Sequence, residues 1–194
     1  MKRALVIGVA IAALAAGCGS TKTVTVTQVT TTVKTVTTTN TVTTTSGSAS
    51  PALCTGADLD ASFDAQAGSA GAGTITYTLT LTNTSSAACT VFGTPAGILL
   101  DGSGQALLTH VLSVPAAQGS AQPVVLQPGD AAKADARFSP DVAGTGDSQT
   151  GRCEPVAHVF RVTAGGGGTV DAPISPPTSV CERGTLSFRP FAAG

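Results

Sequence analysis

No tryptophan occurs among the 194 residues, and a single tyrosine, a single methionine and two histidines leave few of the side chains that most often bind or react. The aromatic residues that remain nearly all fall on predicted core positions, so few platforms are left on which a sugar ring could stack. Charge is sparse as well, at 11% Asp, Glu, Lys and Arg, and no basic stripe exists for nucleic acid. The apolar run at the N-terminus, Ala4 to Ala16, falls short of the ~20 residues that a membrane-spanning helix needs. There is no Gly-x-Ser-x-Gly elbow, no His-Glu-x-x-His, no phosphate loop and no Cys-x-x-Cys pair. Ordinary catalytic and cofactor signatures are thereby excluded.

What is present begins at the N-terminus. Lys2 and Arg3 precede the short apolar run, and small residues follow it, which is the layout of a secretory signal peptide over residues 1–17. Leu14-Ala15-Ala16-Gly17-Cys18 resembles the lipobox of bacterial lipoproteins, with Ala15 where leucine is commonest and Leu14 one place early. The resemblance implies a diacylglyceryl group on the Cys18 thiol, cleavage before it, and fatty-acyl chains such as palmitate. The alternative is an ordinary cut after Ala13-Leu14-Ala15, which releases a soluble chain with Cys18 as a spare thiol. Each buried methylene of an acyl chain is worth about 0.8 kcal/mol, so two chains anchor stably where one does not. Removal of Lys2 and Arg3 leaves eight basic against eleven acidic residues, a net charge of about −3. No polybasic cluster follows Cys18, so membrane affinity would rest on the lipid.

Residues 18–50 read as a linker. From Thr21 to Thr45 the composition is almost wholly Thr and Val. Such residues favour strands, but most runs place Thr on both faces and offer no apolar side to bury. The expectation is a disordered, low-complexity spacer, with hydrogen-bonded β structure as the minority case. Ser46-Gly47-Ser48-Ala49-Ser50-Pro51 completes it as a flexible joint, and the whole spans about 30 Å as a coil and at most about 100 Å extended. Its hydroxyls are candidate sugar acceptors.

Residues 51–194 suit one domain, and the pattern is all β. Leu59, Ala61, Phe63 and Ala65 alternate with Asp58, Asp60, Ser62 and Asp64; Ile75, Tyr77, Leu79 and Leu81 alternate with Thr76, Thr78, Thr80 and Thr82. Further strands are expected at 96–100, 105–114, 123–126, 131–138, 155–163, 169–175 and 184–191. Between them lie the turn sequences Asn83-Thr84-Ser85-Ser86, Asp101-Gly102-Ser103-Gly104, Gln127-Pro128-Gly129-Asp130 and Gly165 to Gly168. Many short strands without a helical period imply an immunoglobulin-like two-sheet sandwich.

With Cys18 assigned to lipid, Cys54, Cys89, Cys153 and Cys181 remain, an even number that reads as two disulfides in an exported chain. A hairpin turning within Gly165 to Gly168 sets Cys153 within one position of Cys181. A turn near Ser69 and Ala70 sets Cys54 opposite Ser85, with slack enough to reach Cys89. The expected pairs are therefore Cys54 with Cys89 and Cys153 with Cys181, and the crossed pairings would have to join ends of different hairpins.

The remaining polar residues have ordinary readings. His110 is expected to share a face with Leu108 and Leu112, and His158 to face solvent; neither accompanies a nucleophile motif. Asp58, Asp60 and Asp64 form a solvated face and not a calcium loop. Asn83-Thr84-Ser85 is better explained as a turn than as a glycosylation acceptor, and Gly165 to Gly168, with no helix after it, as a hairpin loop and not a phosphate cradle. No catalytic, cofactor or metal residue is assigned.

Several landmarks recur together: Cys54 before Leu59, Gly73 leading into Leu81-Thr82-Asn83-Thr84-Ser85, Cys89 followed by Gly93-Thr94-Pro95, Leu126-Gln127-Pro128-Gly129-Asp130-Ala131, and Cys153 and Cys181 with Pro176-Pro177 between them. In order and spacing they resemble the domain of unknown function family 4232, common in exported proteins of high-GC Gram-positive bacteria. The resemblance implies an exported β sandwich with paired cysteines and carries over no catalytic residue. The expected function is a non-enzymatic interaction module on the extracellular face of the cell membrane, lipid-anchored, with a cell-wall or envelope-protein partner and no nucleic acid. The alternative is a hydrolase-like enzyme with a site of loop Asp, Ser and His.

Overall fold

The computed structural model describes residues 23–27, 39–43, 50–115 and 121–194. The signal peptide, Cys18 and most of the linker lie outside the described residues. The chain divides into two units, Met1–Ser50 and Pro51–Gly194.

In the first unit, β1 (Thr23–Thr27) and β2 (Thr39–Thr43) pair antiparallel, from Thr23 opposite Thr43 to Thr27 opposite Thr39. The expectation of an unpaired spacer is corrected at these two strands. β-branched residues favour extended backbone, which suits both segments to pairing.

The second unit is nearly all β. Its strands are β3 (Leu59–Ala65), β4 (Ile75–Asn83), β5 (Cys89–Val91), β6 (Ala96–Leu100), β7 (His110–Ser113), β8 (Val124–Leu126), β9 (Ala131–Phe138), β10 (Val156–Thr163), β11 (Thr169–Ser179), β12 (Thr185–Phe188) and β13 (Ala192–Ala193). Hydrogen bonding orders them β6-β10-β11-β3-β4-β9-β12-β7, with β13 on β9 and with β5 and β8 as a separate pair. The sequence reading expects two separate sheets, whereas pairing here is continuous, because β11 is long enough to change partner. It leaves β10 at a bulge between Ala157 and Val159, and there Ile174 and Ser175 pair parallel with Phe63 and Asp64. The two ends of the path nearly meet. After β6 the chain turns back, Leu107 N–H donating to the Leu99 carbonyl (2.8 Å), and three residues later becomes β7 on β12.

Period-2 burial fills the interior. Tyr77, Leu79 and Leu81 point inward from β4, opposite Ala136, Ala134 and Ala132 of β9, so small residues make room for large ones. Phe63 is fully buried, its ring 5.4 Å from Tyr77, 5.7 Å from Phe160 and 5.8 Å from Phe188 by centroid. The Tyr77 hydroxyl donates to the Pro176 carbonyl at 2.9 Å, which places a polar handle on a buried ring.

Both expected disulfides form, with Cα separations of 4.9 Å for Cys54–Cys89 and 5.4 Å for Cys153–Cys181. The β3–β4 hairpin is centred on Gly71 and not near Ser69, so its register, continued, sets Cys54 opposite Ala88 and beside Cys89. Less slack is needed than the sequence suggests. Replacing Cys54 and Cys89 together by Ala is expected to lower stability by about 3 to 4 kcal/mol in the chain-entropy description of loop closure. The check is a lower urea midpoint than that of the oxidised protein.

Candidate functional site

The structure distributes the polar residues singled out above and does not gather them. His110 lies exposed on β7, on the face of Leu108 and Leu112 as expected, and His158 lies exposed on β10 beside Gly102. Among the described residues no hydrogen bond joins either histidine to a carboxylate or hydroxyl. Asp60 and Asp64 are exposed on the outer face of β3. Asp58 instead accepts from the Thr55 hydroxyl (2.7 Å) and the Thr55 N–H (2.8 Å), capping a single 3-10 turn at Gly56–Asp58; these bonds hold its carboxyl below the ordinary range.

A concave site lies elsewhere. A pocket of about 330 Å³ opens where the domain's chain begins. Its floor is core: Leu59, Leu81, Val91 and Val162 are all buried. Pro95, Ala96, Ala164 and Phe191 form walls, and the mouth is flanked by Leu53 (48% exposed) and Phe92 (57% exposed). Short side chains at Ala96 and Ala164 leave the space unfilled. No charged side chain lines it. Of its hydroxyls, Thr90 donates to the Pro51 carbonyl (3.2 Å) and Thr94 bonds Ser113 (2.7 Å).

The mouth is held by its backbone. Cys54 N–H donates to Thr90 and Thr90 N–H to Ala52, at 3.0 and 2.8 Å, beside the Cys54–Cys89 bond. From the β10–β11 loop, Gly166 N–H donates to the Cys54 carbonyl (2.9 Å). A Cβ at Gly166 would lie 2.4 Å from the Leu53 carbonyl oxygen, so only glycine allows this approach. The loop that the sequence marks as a hairpin is thus also a wall of the pocket. Phe92 had no strand periodicity to announce it, standing just before the turn at Gly93.

A second cluster surrounds the other disulfide. The buried Asp147 carboxylate accepts from the N–H groups of Gly144 (2.8 Å), Glu182 (2.6 Å) and Arg183 (2.7 Å). Glu182 and Arg183 have φ of 55° and 58°, a left-handed pair that non-glycine residues rarely adopt. The carboxylate supplies partners to amides that such a turn aims in one direction. An Asp147 oxygen and the Cys153 and Cys181 sulfurs lie within 4.8 Å of one another, but both sulfurs are joined in the disulfide and offer no thiolate. This cluster is built for holding the turn. Sequence reasoning missed it because its parts come from residues 144–147 and 181–183, which no local pattern connects.

The geometry can be set beside known proteins. The profile of the domain of unknown function (DUF4232) matches residues 54–192. The chain belongs to this family. No curated protein and no solved structure matches. In this DUF4232 domain the residues behind the resemblance include both pocket lining, such as Leu59, Leu81 and Pro95, and a structural tie at Asn83. Asn83, fully buried, donates to the Ala87 (2.8 Å) and Leu126 (3.0 Å) carbonyls and accepts from Ser85 N–H (3.0 Å). Its own N–H donates to Asp130, and Gly129 N–H donates back to it. One asparagine therefore ties the Asn83 turn to the Gln127–Asp130 turn, and as a buried side chain it is no glycan acceptor.

The Asp147 cluster gives the DUF4232 domain a pH dependence. Burial pushes the Glu154 carboxyl up, and the neighbouring Asp147 charge and hydrogen bond add to this while Arg183 opposes it. Burial also works against the Asp147 charge, yet the Gly144, Glu182 and Arg183 N–H groups and Glu154 outweigh it and hold Asp147 low. The stabilisation linked to Glu154 is therefore complete below the ordinary Glu value and is lost as pH rises through the raised one. That linked to Asp147 is present above the ordinary Asp value and is lost as pH falls through the lowered one. The pair contributes most in mild acid. Glu154→Gln, which keeps a donor toward Asp147, is expected to abolish the loss on the alkaline side. Melting temperatures across a pH series check this, and parallel profiles for the two proteins would refute it.

Proposed function

We propose that the chain is a cell-envelope lipoprotein, held on the extracellular face of the membrane by acyl groups on Cys18, whose DUF4232 domain is a non-enzymatic binding module. The observation that carries the non-enzymatic half is the composition of the pocket. It offers hydrocarbon surface and hydroxyls and holds no histidine, carboxylate or amine to move a proton. Concave apolar sites bind, and chemistry needs titratable groups that this one lacks. Nothing in the arrangement of His110 and His158 favours the hydrolase alternative. The partner class is a wall component or another envelope protein.

The module itself is read as an immunoglobulin-like sandwich. One layer is β6-β10-β11 and the other β3-β4-β9-β12-β7, with only two register pairs between them along β11 and β3. Rings from both layers meet in the middle: Phe160 of the first lies 5.7 Å from Phe63 and 5.5 Å from Phe188 of the second. That interdigitation is what two packed sheets require.

The anchoring half rests on the residues before Cys18. Cys18→Ser is expected to abolish incorporation of labelled fatty acid and to move the protein from the membrane fraction to the medium. Retention of the variant in the membrane would overturn the lipoprotein reading.

A further inference from the structure

We propose that the pocket behind Leu53 and Phe92 binds an acyl chain. The proposal rests on the binding-module reading and goes beyond it, giving the module a hydrocarbon ligand besides a wall or envelope-protein partner. Four observations select this ligand class.

The first is polarity. A polar or charged group placed on the floor of Leu59, Leu81, Val91 and Val162 would be stripped of water with no partner there, because no charged side chain lines the pocket, the Thr90 and Thr94 hydroxyls are already bonded, and Thr163 is an exposed residue and not part of the floor. The second is volume. At about 330 Å³ the cavity lies at the lower end of the ~300 to 1,000 Å³ of small-molecule sites, and apolar cavities admit hydrocarbon more readily than water. The third is the mouth. Leu53 and Phe92 are each about half exposed, so a chain passing between them would cover apolar surface at the rim as well as inside.

The fourth observation separates an acyl chain from an extended peptide. A peptide adding to a sheet needs free backbone donors and acceptors at the edge it meets. At this mouth Thr90 N–H and carbonyl are spent on Ala52 and Cys54, and the Cys54 carbonyl on Gly166. An acyl chain asks for no hydrogen bonds. The Cys54–Cys89 bond and the Gly166 contact also fix the walls beforehand, so binding loses little to ordering them.

The test uses the full chain carrying Cys18→Ser, which has no acyl group of its own, titrated with the fluorescent fatty acid cis-parinaric acid. Saturable one-to-one binding is expected, displaced by decanoic acid and not by butyric acid. Ala96→Phe, at an exposed position on the wall, should fill the space and weaken binding at least tenfold. Val142→Ser, an exposed apolar residue outside the pocket, should leave it unchanged. If near-UV circular dichroism shows Ala96→Phe misfolded, the double variant Leu53→Ser and Phe92→Ser takes its place, since both side chains project into solvent. Flotation with phosphatidylglycerol vesicles separates the two sources of such a chain: pocket-dependent flotation assigns a membrane lipid, and parinaric acid binding without flotation assigns a free fatty acid. Absence of both, or binding equally strong in the filled and stripped variants, overturns the proposal. Because the assay uses the unlipidated chain, failure of Cys18 labelling would sink the anchor and leave this result standing.

Discussion

Phe63 is the residue through which the two halves of the β domain hold each other. Its backbone pairs with Leu79 on one side and with Ile174 on the other, and its ring touches Tyr77, Phe160 and Phe188. Removing a fully buried phenylalanine ring leaves a cavity worth about 3 to 5 kcal/mol, a large part of the margin by which a domain of this size is folded. The Phe63 side chain fills the centre of the nearly closed sheet while its strand bonds both neighbours. The alanines of β9 follow from the same need, since larger residues opposite Leu79 and Leu81 would overfill the interior.

Periodicity made most of this legible. β3 and β4 alternate so regularly that their inward faces could be named, and the turns between strands carry glycine and asparagine where the chain reverses. The cysteine pairing followed from hairpin arithmetic, although the β3–β4 centre sits a little farther along the chain than the glycine and serine content suggested. β5 and β13 are short and were not expected: β8 is no longer than β5 but is marked by the Gln127-Pro128-Gly129-Asp130 turn after it, whereas β5 follows a turn already assigned to the end of β4. Neither was the double pairing of β11: prolines and serines there look like a strand ending, yet the strand meets β3 at Ile174 and Ser175 and returns to β10 at Thr178 and Ser179. The Thr-rich strands of the first unit were judged on the absence of an apolar face, which is a rule about burial and does not govern local backbone preference.

The candidate site was invisible for a different reason. A pocket is a space, and no residue signals that its neighbour in three dimensions is too short to reach it. Ala96, Ala164 and Gly165 look like ordinary small residues of a glycine-rich chain until Leu53 and Phe92 are seen to stand around the gap they leave. Asp147 escaped notice similarly, as one acid in a polar loop whose value lies in amides far along the chain. The family motifs are a mixed case: conspicuous in sequence, some are ties such as Asn83 and the Gln127–Asp130 turn, while Leu59, Leu81, Thr94 and Pro95 also line the pocket.

The return of the chain from β6 to β7 matters beyond the single molecule. A β domain with two long bare edges invites neighbours to add strands to it, and that risk grows when copies are crowded. By running the segment after β6 back along it and then onto β12, the fold spends much of its edge bonding on itself. Closure of this kind leaves a second copy little bare edge on which to add a strand, so the domain can be concentrated with less risk of strand-by-strand association.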